Sequence, residues 1–261
     1  MVVHWPEYLA ELLGVAILVF FGTSAIIINF GSFSLVSGTI PRLFLTGLMF
    51  STTGALVAVS PLGKLSGAHI NPAVSLSFWL LKMMHHKDLV GFLIFQFAGA
   101  AIGSSLARLV WGEEFFLING GVTLVGSGLS VLEAFAAETF MTFVLVISIL
   151  IMLSHGRTAK FTPLIVILVV TFAVVFGAQV SGTSLNPARS FGPALATNLW
   201  TNQWIYFVAP ITGAILASIA YHAKVFGKMK LKTAKLFHHD SYRCIYSECR
   251  LSHDEEESWR K

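Results

Sequence analysis

Charge is what this chain lacks most. Of its 261 residues only 11% are Asp, Glu, Lys or Arg, against roughly 25% in an average soluble domain. Fifteen of the thirty charged residues fall within 223–261, so residues 1–222 are poorer still. With 55% hydrophobic residues and a mean hydropathy of +0.76, there is too little polar surface to cover a soluble globule. A soluble enzyme and a disordered chain are both excluded. Cysteine is scarce too: Cys244 and Cys249 both stand in the polar tail, which leaves no disulfide framework. The N-terminus lacks a basic region and a small-residue cleavage site, and Glu7 and Glu11 sit at the start of the first apolar run. That run reads as a permanent helix and not as a removed signal peptide. The net charge of +4 comes mostly from the tail; it suits an anionic membrane surface and makes little case for nucleic acid. The apolar runs hold no His, Asp or Glu cluster with metal-ligand or nucleophile spacing, so no enzyme activity, metal or cofactor is expected.

Long apolar runs are what the chain has instead. A membrane-spanning helix needs about 20 mostly apolar residues. Six runs qualify: 7–30, 40–59, 89–111, 131–153, 162–179 and 204–222. Two further stretches, 70–80 and 185–195, are too short to span. Each opens with Asn-Pro-Ala, at Asn71-Pro72-Ala73 and Asn186-Pro187-Ala188. Proline is tolerated in the first turn of a helix, where its missing N–H would have no partner anyway. Each stretch therefore reads as a half-helix that starts at its own motif. Lys64, Lys82, Lys87, Arg157, Lys160 and the tail lysines gather on one side of the predicted spans. The bias of basic loops toward the cytoplasm then places both termini and the tail there. A plasma membrane or bacterial inner membrane is the default location.

The sequence also repeats itself. Ser66-Gly67-Ala68-His69-Ile70-Asn71-Pro72-Ala73 follows the second span, and Ser181-Gly182-Thr183-Ser184-Leu185-Asn186-Pro187-Ala188 follows the fifth. Glu11 and Glu138 each lie inside the first span of a half. Three spans and a half-helix, taken twice, start the second copy from the opposite face. Such inverted repeats place a functional site at the midplane between the halves. The expected fold is thus an all-α membrane protein with six transmembrane helices and two re-entrant half-helices. The channel part covers 1–222 (halves about 1–111 and 131–222), and 223–261 form a cytoplasmic tail.

The midplane chemistry follows from the half-helices. Non-helical backbone at membrane depth survives only where it is buried in protein or lines a wet cavity. Residues 60–70 and 177–185 are expected to enter as extended segments whose carbonyls line a path. Each half-helix N-terminus carries roughly half a positive charge, so a cation at the centre meets two positive ends. Asn71 and Asn186 can cap their helices with the side-chain oxygen and offer NH₂ donors to the path. A neutral molecule with lone pairs is accepted there and a cation is not.

Two NPA boxes in SGxxxNPA settings, with Arg189 after the second, resemble the aquaporin or major intrinsic protein family over about residues 5–222. The resemblance implies a pore in every protomer, passive flow of water and small neutral solutes without ions or protons, no cofactor, and a homotetramer among membrane lipids. It implies that Asn71, Pro72, Ala73, Asn186, Pro187 and Ala188 form the pore centre. Arg189 is then the fixed cation of a constriction, a reading that agrees with the cost of a charge at membrane depth. Glu11 and Glu138 become anchors for the loop backbones, with His69 part of the same scaffold. Counted without gaps, the constriction of such channels falls on Ser51, Val174, Thr183 and Arg189. Water-selective members usually carry Phe and His at the first two places, so Ser and Val imply a wider, half-apolar ring. That favours glycerol, urea, ammonia or metalloid acids beside water. Ser190, Ala194 and the Tyr206-Phe207 pair are water-channel-like, however. A shift of one residue would place Phe50 in the ring in place of Ser51 and favour water. A secondary active transporter is the rival class. It needs titratable groups at the midplane, and only Glu11 and Glu138 qualify. The Gly99/Gly103 pair in span 3 suits close helix packing. The tail reads as a flexible segment whose basic part meets lipid head groups; its His and Cys residues match no closed zinc site.

Overall fold

The computed structural model describes residues 4–239 and 241–246. Within them the chain is helical and contains no strand. In order, the helices are α1 (Trp5–Phe30), α2 (Thr39–Val59), the short α3 (Pro61–Ser66), the half-helix α4 (Pro72–Leu80), α5 (His86–Trp111), the short α6 (Glu113–Leu117), α7 (Val131–Leu153), the short α8 (Gly156–Ala159), α9 (Thr162–Ser181), the half-helix α10 (Pro187–Thr197) and α11 (Ile205–His222). Six of them, α1, α2, α5, α7, α9 and α11, are long and apolar enough to cross a membrane. Each lies where an apolar run predicts it, within three residues at either end.

The two halves pack as inverted copies. α1 lies on α5 and on α2, and correspondingly α7 lies on α11 and on α9. α2 and α9 pack on each other across the two halves, while α4 rests on α11 and α10 on α5. Each half-helix is thus held by the last span of the opposite half. This exchange brings both half-helix N-termini to the middle of the molecule.

Close packing of α1 against α5 depends on missing side chains. A Cβ on Gly99 would stand 2.2 Å from the Leu12 carbonyl oxygen, and one on Gly103 would stand 2.4 Å from that of Ala16. Real Cβ atoms do not approach backbone that closely, so any larger residue would force the two spans apart.

The re-entrant loops differ from the extended segments expected of 60–70 and 177–185. Residues 61–66 coil into α3, capped by Ser60, and α9 runs on to Ser181. Only five residues in each loop, 67–71 and 182–186, lie outside a helix before the half-helix begins. Gly67 and Gly182 end the preceding helices in the left-handed conformation, at φ 103° and 80°, which glycine adopts without a Cβ penalty. Ala68 and Ile70 in one loop and Thr183 and Leu185 in the other also have positive φ. The sequence repeat is therefore a repeat of backbone torsions.

The tail also departs from expectation. Lys224, Lys228 and Lys230 are exposed, but the chain then turns back onto the body. Leu231, Ala234, Leu236 and Tyr246 are buried in the main hydrophobic core, and Lys235 is fully buried. Lys235 donates to the carbonyls of Lys64 (2.6 Å) and Arg243 (2.7 Å). Cys249, His253 and the acidic run at 254–257 lie outside the described residues.

Candidate functional site: a pore between two half-helices

Both motif asparagines do two jobs. The Asn71 side-chain oxygen accepts from the Ala73 N–H at 2.9 Å and caps α4. That of Asn186 accepts from Ala188 and Arg189 at 3.0 and 3.3 Å and caps α10. Each side-chain amide then reaches across the molecular midline. Asn71 Nδ2 donates to the Leu185 carbonyl, and Asn186 Nδ2 donates to the Ile70 carbonyl, both at 2.8 Å. One donor of each NH₂ ties the two loops together, and its second remains for the lumen, which both residues line. Sequence reasoning foresaw the cap but not this reciprocal clasp.

The two acids hold the loops in matching register. Glu11 accepts from the Ser66 hydroxyl (2.7 Å) and from the backbone N–H groups of His69 (3.0 Å) and Ile70 (2.6 Å). Glu138 accepts from the Ser181 hydroxyl (2.7 Å) and from the N–H groups of Ser184 (2.7 Å) and Leu185 (2.9 Å). Backbone donors turned away from the lumen need acceptors in a dry interior, and a carboxylate supplies strong ones. Their carbonyls are then free to face inward or across, as those of Ile70 and Leu185 do.

Three partners of the acids were not singled out from sequence. Gln96 donates to Glu11 (2.7 Å) and to Ser75 (3.0 Å); its signal was a lone polar residue inside an apolar span. Ser66 and Ser181 were visible as repeated letters but carried no assigned role. His69 is buried, with Nδ1 3.1 Å from the Ser75 hydroxyl and Nε2 2.8 Å from the Ala234 carbonyl. The carbonyl can only accept, so Nε2 carries the proton and Nδ1 accepts from Ser75.

Two cavities meet beside the asparagines. One, of about 80 Å³, is lined by Asn71, Asn186, His69, Ser51 and the tail residue Leu236. The other, of about 190 Å³, is lined by Val174, Thr183 and Arg189 together with Thr46 and Gly121. Phe50, Val170, Ser184 and Leu185 line both, which makes the two cavities consecutive chambers of one path.

The gapless count to Ser51 does not fit this geometry. Phe50, not Ser51, lines the chamber with Arg189, and the Arg189 guanidinium lies over its ring at 5.4 Å from the centroid. Ser51 is buried, its hydroxyl donating to the Gly47 carbonyl (2.7 Å) and lying 3.1 Å from that of Thr171. It joins α2 to α9 and borders only the first chamber. The physical reason is helix geometry: adjacent residues on α2 point about 100° apart, and Phe50 is the one turned toward Arg189. Arg189 itself is buried and donates to the Gly121 carbonyl at 2.8 Å. Thr183 lines the same chamber with its hydroxyl spent on the Ala173 carbonyl (3.2 Å).

Six apolar spans enclosing a two-chambered path, with paired half-helices at its centre, define a membrane channel for small solutes. Comparisons with known proteins agree. The model of the Major intrinsic protein family matches residues 1–221. Aquaporin AqpM of Methanothermobacter marburgensis is 36% identical over 234 residues, covering 82% of this chain and 94% of that protein. Aquaporin NIP1-1 of Arabidopsis thaliana is 33% identical, covering 83% and 72%. The solved aquaglyceroporin of Plasmodium falciparum superposes with a TM-score of 0.70 at 23% identity, over 85% of this chain and 97% of that one, and so shows the same fold. The chain belongs to the major intrinsic protein family, a class of multi-pass membrane channels for water and small solutes.

Proposed function

We propose that this protein conducts water passively, passes small neutral solutes less readily, and excludes protons and ions. The observation that carries the reading is the clasp of Asn71 and Asn186 at the N-termini of α4 and α10. It fixes two positive helix ends and two amide donors at one point of the path. A water molecule there donates nothing to the asparagines and accepts from them, which breaks the chain of like-oriented waters a hopping proton needs. A metal cation meets repulsion from both helix ends and, in the next chamber, from Arg189.

Size selection falls to Phe50, Val174, Thr183 and Arg189. Phe50 restores the bulk that Ser51 would lack, and this favours water. Val174 offers no hydrogen bond, so one wall of the ring is apolar. That wall supports a second reading in which glycerol, urea, ammonia or metalloid acids are the main cargo. Stopped-flow measurements on proteoliposomes decide between the two. Water flux well above protein-free liposomes with little glycerol or urea flux is the expected result. Glycerol or urea flux matching that of water favours the second reading, and solute accumulation against a gradient overturns the channel reading.

The assembly is a homotetramer in the bilayer with both termini in the cytoplasm. Exposed apolar residues on α9, Phe172 and Phe176 among them, leave faces suited to lipid tails or neighbouring copies.

A further inference from the structure

The docked tail reaches further than a surface strap would. Leu236 lines the same chamber as Asn71 and Asn186. Its backbone N–H donates to the Gly67 carbonyl at 3.0 Å, inside the first re-entrant loop. Two residues earlier the Ala234 carbonyl accepts from His69 Nε2 at 2.8 Å. Tyr246 stacks on the His69 ring at 5.4 Å between centroids, and its hydroxyl donates to the Ser66 carbonyl. The Lys232 N–H donates to the Leu153 carbonyl at the end of α7 (3.0 Å), so the segment bridges both halves of the channel. At its far end Arg243 grips the buried carboxylate of Glu7 with two hydrogen bonds of 2.5 and 2.7 Å.

We propose that residues 231–239 and 241–246 form a docked plug that closes the tail-side end of the pore, with Leu236 as the stopper and the Glu7–Arg243 pair as the latch. An apolar side chain in a narrow water path offers no hydrogen bonds, and hydrophobic constrictions close channels by dewetting them. The pseudo-symmetric chamber beside Arg189 is lined by channel residues alone. The stopper is thus an addition to the repeat and not a product of it. The route of release is also on the chain. Residues 223–230 link α11 to the plug, almost all of them exposed, and include Gly227 in the left-handed region at φ 102°. Moving the plug breaks hydrogen bonds to backbone carbonyls and the Glu7–Arg243 pair and uncovers Leu231, Ala234, Leu236 and Tyr246, while the NPA clasp and the Glu11 and Glu138 anchors stay intact.

The proposal rests on the pore reading, and the test separates the two. Full-length protein in liposomes is compared with Leu236→Gly, Leu236→Met and Arg243→Ala by stopped-flow water permeability per channel. Wild-type proteoliposomes are also clipped with trypsin, with mass spectrometry confirming cuts confined to the tail lysines and Arg243. Leu236→Gly and the clipped wild type should conduct water severalfold faster than untreated wild type. Arg243→Ala should rise less, and Leu236→Met, which keeps the bulk, should match wild type. Equal permeability before and after complete clipping overturns the plug, and so does a clip that only lowers thermal stability. The clipped wild type needs no variant to fold, so it decides even if Leu236→Gly is unstable. If neither clipped nor intact protein passes water or any small solute, the pore reading itself falls.

Discussion

Phe50 and Ser51 are neighbours on α2 with opposite duties. Ser51 spends its hydroxyl on Gly47 and Thr171 between two helices, while Phe50 turns its ring toward Arg189. Ser51→Ala should therefore cost about 1 kcal/mol, the net value of a typical hydrogen bond, and leave the ratio of glycerol to water flux unchanged. Phe50→Ala should raise that ratio. The opposite pattern in the two stopped-flow ratios would restore Ser51 to the constriction. Arg189→Val should admit cations or larger solutes, read as ion leak in the same vesicles. Arg189 stands out in the sequence because a lone charge in an apolar stretch is costly at membrane depth. Phe50 was hidden because which of two adjacent helical residues faces a lumen is set by how α2 packs against α1 and α9.

At the scale of elements, the half-helices stand only because other elements satisfy their loops. Glu138→Gln replaces one acceptor oxygen with an NH₂ donor facing the donors of Ser181, Ser184 and Leu185. Each buried donor left unpaired costs about 1–3 kcal/mol. The variant should unfold in detergent at a clearly lower temperature than wild type, measured by thermal denaturation. Glu11→Gln should lose stability for the same reason, Gln96 being an additional donor there. Gly103→Leu should separate α1 from α5, seen as reduced yield of monodisperse protein. The spans themselves were legible almost to the residue, because a helix in lipid must be apolar over its whole length. The loops were not, because α3 and the last turns of α9 are set by Ser and Gly caps and not by hydropathy.

At the scale of the whole molecule, the inverted repeat explains why two short motifs 115 residues apart meet at one point. Each half-helix is held by the opposite half, so neither half forms the pore alone. Native mass spectrometry of the detergent-solubilised protein should give a mass of four chains; a monomer as the main species would contradict the tetramer. The sparse charge of residues 1–222 also gains meaning at this scale. Lys64, Lys82, Arg157 and Lys160 lie outside the six long helices and Lys87 stands in the first turn of α5, while Glu11, Glu138 and Arg189 lie buried around the path.

The sequence alone determined the six spans, the two half-helices, the asparagine caps and the family resemblance, because hydropathy, proline placement and a doubled motif are local properties of the chain. Only the tertiary structure decided that the asparagine amides clasp the opposite loops, that Phe50 and not Ser51 faces Arg189, and that the tail turns back to place Leu236 in the path. Each of these depends on a contact between residues distant in sequence, and such a contact exists only once the helices have packed.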